Sequence, residues 1–184
     1  MCKKFSELSY NGVYANSNEN RQAIIGNFLI SLGINLEKIP KNFFEPFSYY
    51  PSKKASKKSL QKIYLQDVVG TCRKEYAEDN QVIFSFMKLK RITRYIQANA
   101  ITRYKYSRDL KKDNQELFVT VSRNPDGTFF VDGNGNHRIL AYKILMLSEI
   151  AKKYPWVYQD DYELSFKGFT DITKKYWLYA LVKD

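Results

Sequence analysis

The sequence predicts an α+β fold, and three observations carry that expectation. Two apolar runs, 117–121 and 128–131, flank Asn124-Pro125-Asp126-Gly127, which is the turn chemistry of a β-hairpin. From 137 to 153 apolar residues recur at helical spacing, with Leu140, Ile144, Leu147 and Ala151 on one stripe and Ala141 and Leu145 beside it. The chain has 184 residues, 44% hydrophobic and 27% charged, which fits a single domain that buries its own core. These figures exclude a disordered tail, a collagen-like fibre and a disulfide scaffold.

The elements follow in order along the chain. Residues 1–59 read as an accessory extension. Ser17-Asn18-Glu19 offers an N-cap, and Ala23, Ile24, Phe28, Ile30 and Leu32 supply a helix that stops at Gly33. An aromatic segment, Asn42-Phe43-Phe44-Glu45-Pro46-Phe47, then wraps back, and the Ser- and Lys-rich stretch 52–59 reads as an exposed linker. The main domain is expected over 60–184. It opens with a strand over 62–69 that ends at Gly70-Thr71, followed by one helix over 82–97 closed by Asn99. The hairpin and the helix from 137 come next, and Tyr154-Pro155 stops that helix. A strand over 162–167 and a closing helix over 170–181 complete the reading.

Charge narrows the function classes. Lys and Arg total 30 against 19 acids, a net +11 with a pI near 9.5, so polyanions are natural partners. Aromatics reach 16%, with 15 Tyr and 12 Phe, residues that serve core edges and stacking surfaces alike. Cys2 and Cys72 form no CxxC pair, and one His cannot build a His cluster, so no metal site is expected. An apolar leader is missing, as is any run near the ~18 residues that a spanning helix needs. A cytoplasmic protein without membrane contact is the expectation.

The chemistry concentrates in Asp132-Gly133-Asn134-Gly135-Asn136-His137-Arg138, where a strand runs through a loop into a helix. Gly133 and Gly135 permit backbone angles closed to other residues and a close approach by an anion. The helix start presents unpaired N–H groups and the positive end of a dipole. Arg138 adds a guanidinium able to grip two phosphate oxygens. His137 is the one side chain with an ordinary pKa near neutrality, hence a candidate for proton transfer. Asp132 could accept a proton, hold a divalent ion, or only close an Asx turn. A tight turn with no ligand would also use such a loop.

The segment Phe129-Phe130-Val131-Asp132-Gly133-Asn134-Gly135-Asn136-His137-Arg138-Ile139-Leu140-Ala141 resembles the signature of the ParB/sulfiredoxin-like superfamily. Many ParB-like members read strand, D-G-N-H-R, then an alanine-containing helix. Upstream, the run from Ile63 to Thr71 followed by Arg73 is similar to that domain's opening strand and turn. The resemblance spans about 63–150 in outline and is specific over 129–141. It implies a compact ParB/sulfiredoxin-like α+β domain, a small mixed sheet with packed helices, following an N-terminal helical extension. It further implies binding of a nucleoside triphosphate (ATP or CTP) with Mg²⁺, and hydrolysis or transfer of its phosphate. Thr71, Arg73, Gly133, Asn134, Gly135, Asn136 and Arg138 are then the phosphate-binding candidates. Asp132, His137, Arg138 and Glu75 are the catalytic ones, with Glu75 as general base or metal ligand.

Departures from the family pattern narrow the choice. Sulfiredoxins carry a catalytic Cys just before the His-Arg pair, and here Asn136 stands there. Without a thiolate there is no nucleophile for sulfinate repair, so that activity is not expected. About 30 residues follow the signature helix, too few for the DNA-binding domain of partition proteins. The additional Gly-Asn in the loop leaves open whether Asp132 or Asn134 occupies the family's acidic position.

A second signal lies over 88–112. Nine basic residues there, including Lys88, Arg91, Arg94, Arg103 and Lys105, face the single acid Asp109, with Tyr95, Tyr104 and Tyr106 between them. Lys88, Arg91 and Arg94 recur every three residues and would share one face of the 82–97 helix, as a nucleic-acid-binding surface does. A solvated helix face is the alternative. The functional expectations are thus an NTP-hydrolysing or phosphate-transferring enzyme, a DNA-binding or DNA-cleaving nuclease module, and a non-catalytic interaction domain, with a homodimer open in each case.

Overall fold

The structure is a computed structural model that describes residues 18–34, 46–54, 57–78, 81–89, 91–97, 99, 101, 118–158 and 166–184. Helix α1 spans Asn18–Ser31 and ends where expected. There Gly33 takes φ +81° and donates to Ile30 O at 2.8 Å, while Ile34 N–H reaches Leu29 O at 3.1 Å. Six strands follow: β1 Ser48–Tyr49, β2 Lys58–Tyr64, β3 Val68–Thr71, β4 Val119–Arg123, β5 Phe129–Val131 and β6 Trp177–Lys183. The helices between them are α2 Lys74–Ala77, α3 Val82–Met87, α4 Ile92–Gln97, α5 Asn136–Lys153 and α6 Thr170–Thr173.

The described strands form one mixed sheet in the order β1-β3-β5-β4-β6-β2. β1 and β5 run parallel to β3, and β4 runs parallel to β6, while the β4–β5 and β2–β6 pairs are antiparallel. The core lies between one sheet face and the helices. Val119, Val121 and Val131, with Ile63, Leu178, Ala180 and Val182, meet Ile139, Leu140, Ile144 and Leu147 of α5 there. The protein is therefore α+β with a six-stranded mixed sheet. The 124–127 turn closes the expected hairpin, with Gly127 at φ +84° donating to Asn124 O at 3.0 Å. Asn99, at φ +51°, follows α4 as expected and donates to Ile96 O at 2.9 Å.

Four expectations need correction. The 62–69 strand is two strands, β2 and β3, separated by a 3-10 turn at Leu65–Asp67. The turn sends them apart, β2 to the sheet edge and β3 to β5. The 82–97 helix is broken between Met87 and Ile92. The buried Arg21 guanidinium of α1 donates to Met87 O at 2.8 Å and Leu89 O at 2.7 Å, satisfying carbonyls that a continuous helix would use internally. Lys88, Arg91 and Arg94 consequently do not line one helical face. Of the strand expected over 162–167, residues 162–165 lie outside the described residues, and Phe166–Gly168 is a 3-10 turn. Finally, the 170–181 helix is a single turn, α6, followed by β6, which lies inside the sheet between β4 and β2.

The chain leaving β1, from Tyr50 to Lys53, crosses the second face of the sheet. Tyr50 stacks on Phe130 with centroids 5.1 Å apart and an interplanar angle of 17°. This crossing requires a bare backbone beneath it, because a Cβ on Gly70 would lie 2.1 Å from Ser48 O and 2.7 Å from the Tyr50 ring. Within the exposed linker, Ser52 and Lys53 fasten to Asp132, and Lys58 and Ser59 already belong to β2. No helix among the described residues is long and apolar enough to cross a membrane.

Candidate phosphate-binding site

Parallel strands β3 and β5 end side by side, with Thr71 opposite Val131 and Cys72 N–H donating to Val131 O at 2.8 Å. Beyond Val131 the loop first prolongs the ladder. Asp132 N–H donates to Thr120 O at 2.9 Å, and Thr120 N–H donates to Asn134 O at 3.0 Å. The chain then turns through Gly133 at φ +136° and Gly135 at φ +126° into α5. Gly135 is the N-cap, and its carbonyl accepts Ile139 N–H at 2.9 Å. A Cβ there would stand 2.5 Å from Val119 Cγ1, so the loop lies flat on β4.

Asp132 is the hub of this end of the sheet. It is 2% exposed and accepts from Ser122 Oγ at 2.6 Å, Ser52 Oγ at 2.5 Å and Lys53 N–H at 3.1 Å, with Lys183 Nζ at 3.2 Å. Burial alone raises a carboxyl's pKa, but these donors outweigh it and hold Asp132 at about 2. A carboxylate so engaged is a poor proton acceptor at neutral pH. Beside it, burial and then the Asp132 carboxylate push the Cys72 thiol up, away from the reactive thiolate.

His137 is half-buried. Its Nε2 accepts Arg91 N–H at 3.4 Å, and its ring packs near Tyr76, edge-on at 6.4 Å, and Tyr95 at 5.8 Å. Burial first, and the Arg91 charge second, hold its pKa below the ordinary imidazole value, so the ring is neutral near pH 7. With Nε2 accepting, the ring proton sits on Nδ1. Arg138 is half-buried one residue on, in the first turn of α5.

The site therefore draws in both ends of the expected set. The register of β3 on β5 brings Thr71 and Cys72 to the loop, and Tyr76 brings α2 against His137. Thr71 is fully buried, and its Oγ1 accepts Arg73 N–H at 3.1 Å. Arg73 and Glu75, both exposed, flank this junction as the N-cap and a first-turn residue of α2. Gly133 and Asn134 are exposed, whereas Asn136 is 6% exposed and its Oδ1 has no hydrogen-bond partner. Of the basic set, Lys88 is tied to Glu78 at 2.9 Å, while Arg91 and Arg94 are exposed. Arg103 and Lys105 lie outside the described residues.

No protein-family model, curated protein or solved structure matches this chain.

Chemically the loop offers donors more than bases. The first N–H groups of an α-helix lack acceptors within it, and α5 runs for 18 residues behind this loop. Among the described residues no group of three or more His, Cys, Asp or Glu could hold a metal ion. Mg²⁺ does not fit at Asp132 either, because hydroxyl, amide and ammonium donors already surround that carboxylate. Sequence reasoning missed Ser52, Lys53, Ser122 and Lys183 as the supports of Asp132, and Tyr76 as a neighbour of the loop. Ser52 is 80 positions from Asp132, and no local pattern signals such a pairing.

Proposed function

We propose that the chain is a ParB/sulfiredoxin-like nucleotide-binding protein whose loop from Asp132 to Arg138 takes the phosphates of a nucleoside triphosphate. One observation supports this reading above others: the C-terminal ends of parallel β3 and β5 meet the start of a long helix through two glycines at positive φ. Open sheets bind ligands outside the carboxyl ends of parallel strands, and helix starts favour anions. The backbone of the first α5 turn and the Arg138 guanidinium hold the phosphates, with Arg73 beside them. Asn136 Oδ1 is a buried acceptor that only a donor can satisfy, such as a ribose hydroxyl or a water. Asp132 fixes the loop rather than moving a proton.

Hydrolysis or transfer of the terminal phosphate, as the family resemblance implies, falls to the groups left at the rim. Glu75 is exposed at the start of α2 and is the carboxylate available as a base. Neutral His137 orients the first turn of α5 through its contacts with Arg91, Tyr76 and Tyr95.

Calorimetric titration with ATP and with CTP, with and without Mg²⁺, tests the reading. Arg138→Ala weakens nucleotide binding by about 1.5–3 kcal/mol, the range for a charge-assisted hydrogen bond, in a variant with an unchanged far-UV spectrum. Glu75→Gln abolishes phosphate release and leaves affinity in place. Unchanged affinity in folded Arg138→Ala, or no nucleotide binding by the native chain, overturns the proposal.

A further inference from the structure

The β2–β6 ribbon carries a second surface that the nucleotide reading does not use. Its pairing places Tyr64 opposite Trp177, Lys62 opposite Tyr179 and Lys58 opposite Lys183. Alternation sends these side chains to one face, while Ile63, Leu178, Ala180 and Val182 turn the other way into the core. Tyr64, Trp177 and Tyr179 are each half-buried, and Lys58 and Lys62 are exposed. Lys62 Nζ rests 4.4 Å from the Trp177 ring and 5.1 Å from the Tyr64 ring. Trp177 and Tyr179 meet edge-to-face at 5.6 Å and 86°.

We propose that this face binds single-stranded nucleic acid. Bases stack on the rings of Trp177, Tyr179 and Tyr64, while Lys62 and Lys58 follow the backbone. Charge selects the partner. Neither β2 nor β6 contains an acidic residue, and the chain carries +11. Lys183 is tied to Asp132, so Lys58 and Lys62 are the cations offered to phosphate. Aromatic rings interleaved with cations on a sheet are the arrangement that holds unstacked bases.

Lys62 has a specific part in this. A cation over a π-face is attracted to it, so in the unliganded protein Lys62 covers the rings from which a base gains its stacking energy. On binding, the base takes the ring face and the ammonium moves to the adjacent phosphate. One cation thus serves the rings when the site is empty and the backbone when it is full. The perpendicular setting of Trp177 and Tyr179 means that two successive bases each take one ring rather than sharing a continuous stack.

The test uses the full chain and a fluorescein-labelled oligothymidylate of about twelve residues, within the usual span of single-strand sites. Anisotropy should show binding whose logarithmic affinity falls with the logarithm of salt at a slope of about −1.4, for two phosphates neutralised on a single strand. Trp177→Leu should lower affinity roughly tenfold or more, Trp177→Phe should restore most of it, and Lys62→Glu should weaken binding and flatten the salt slope. An abasic oligomer of the same length, read on the native chain, should bind at least tenfold more weakly than its base-bearing counterpart. That measurement decides the matter even if Trp177→Leu fails to fold. Equal binding of the abasic oligomer, tighter binding of a duplex, or displacement of the oligomer by ATP or CTP would each overturn the proposal. So would a Lys62→Glu effect confined to self-association, which would make the lysines guards of a sheet edge. Nucleotide titration of Trp177→Leu stays at the native value, so failure of this surface is distinguishable from failure of the loop.

Discussion

Asp132→Ala is expected to destabilise the protein by about 4 kcal/mol, because it leaves a half-buried ammonium, two hydroxyls and a backbone N–H without their shared acceptor. Asp132→Asn should cost less but still about 2 kcal/mol, since it keeps the shape and loses the charge that Lys183 faces. Urea unfolding at neutral pH measures both. The same carboxylate gives acid sensitivity a defined sign. Its folded pKa of about 2 lies below the ordinary 3.8, so its contribution is fully present above the unfolded value and is lost as pH falls through the folded one. The contribution amounts to roughly 2.5 kcal/mol, disappearing between about pH 4 and pH 2. Asp132→Asn should remove that part of the slope. Asp126, held low by Thr128, and Asp171, held low by Lys153, keep a residual acid dependence. An unaltered acid-unfolding profile in Asp132→Asn would show that the hub does not titrate as described.

Gly135→Ala should cost about 3 kcal/mol or more and should also weaken nucleotide binding, because it strains the loop in two ways. Its φ of +126° is closed to side-chain-bearing residues, and the new methyl would stand 2.5 Å from Val119 Cγ1. Gly127→Ala is the internal control. That residue also has a positive φ, +84°, but no atom lies within 4 Å of a Cβ placed there. It should cost only about 1 kcal/mol, the left-handed penalty alone. Thermal unfolding of the two variants separates strain from collision. Equal losses would mean that Val119 gives way and that the loop does not rest on β4 as tightly as the distances imply.

Much of the fold was legible where one face of an element is apolar and the other polar. Helix α5 shows its stripe plainly, and the hairpin carries both its alternation and its turn residues. The segment that became β6 has apolar residues on both faces, with Trp177, Tyr179 and Leu181 on one and Leu178, Ala180 and Val182 on the other. Such a run has no period to read, and its aromatic and β-branched content is the remaining strand signal. The break in the 82–97 helix was hidden for a different reason. It is set by Arg21, more than 60 positions away, which supplies the carbonyl partners that helix continuity otherwise provides.

The candidate site divides along the same line. Its loop announces itself because the glycines, Asn136, His137 and Arg138 are contiguous. What those side chains do was not legible, since it depends on groups brought from afar. Asp132 reads as an acid or base until Ser52, Ser122 and Lys183 surround it. His137 reads as a titrating group until Tyr76, Tyr95 and the Arg91 amide enclose it.

Of the six described strands, β6 is last in sequence and yet lies between β4 and β2. A chain synthesised from its N-terminus therefore makes Lys58–Tyr64 more than a hundred residues before its sheet neighbour, Trp177–Lys183, exists. Nascent β2 must wait as an extended segment bearing Ile63 and Tyr64, and its ladder closes only across the whole intervening domain. Long closures of this kind raise contact order and slow folding. During that wait Lys58 and Lys62 give the segment a charge that discourages pairing with other unfinished chains.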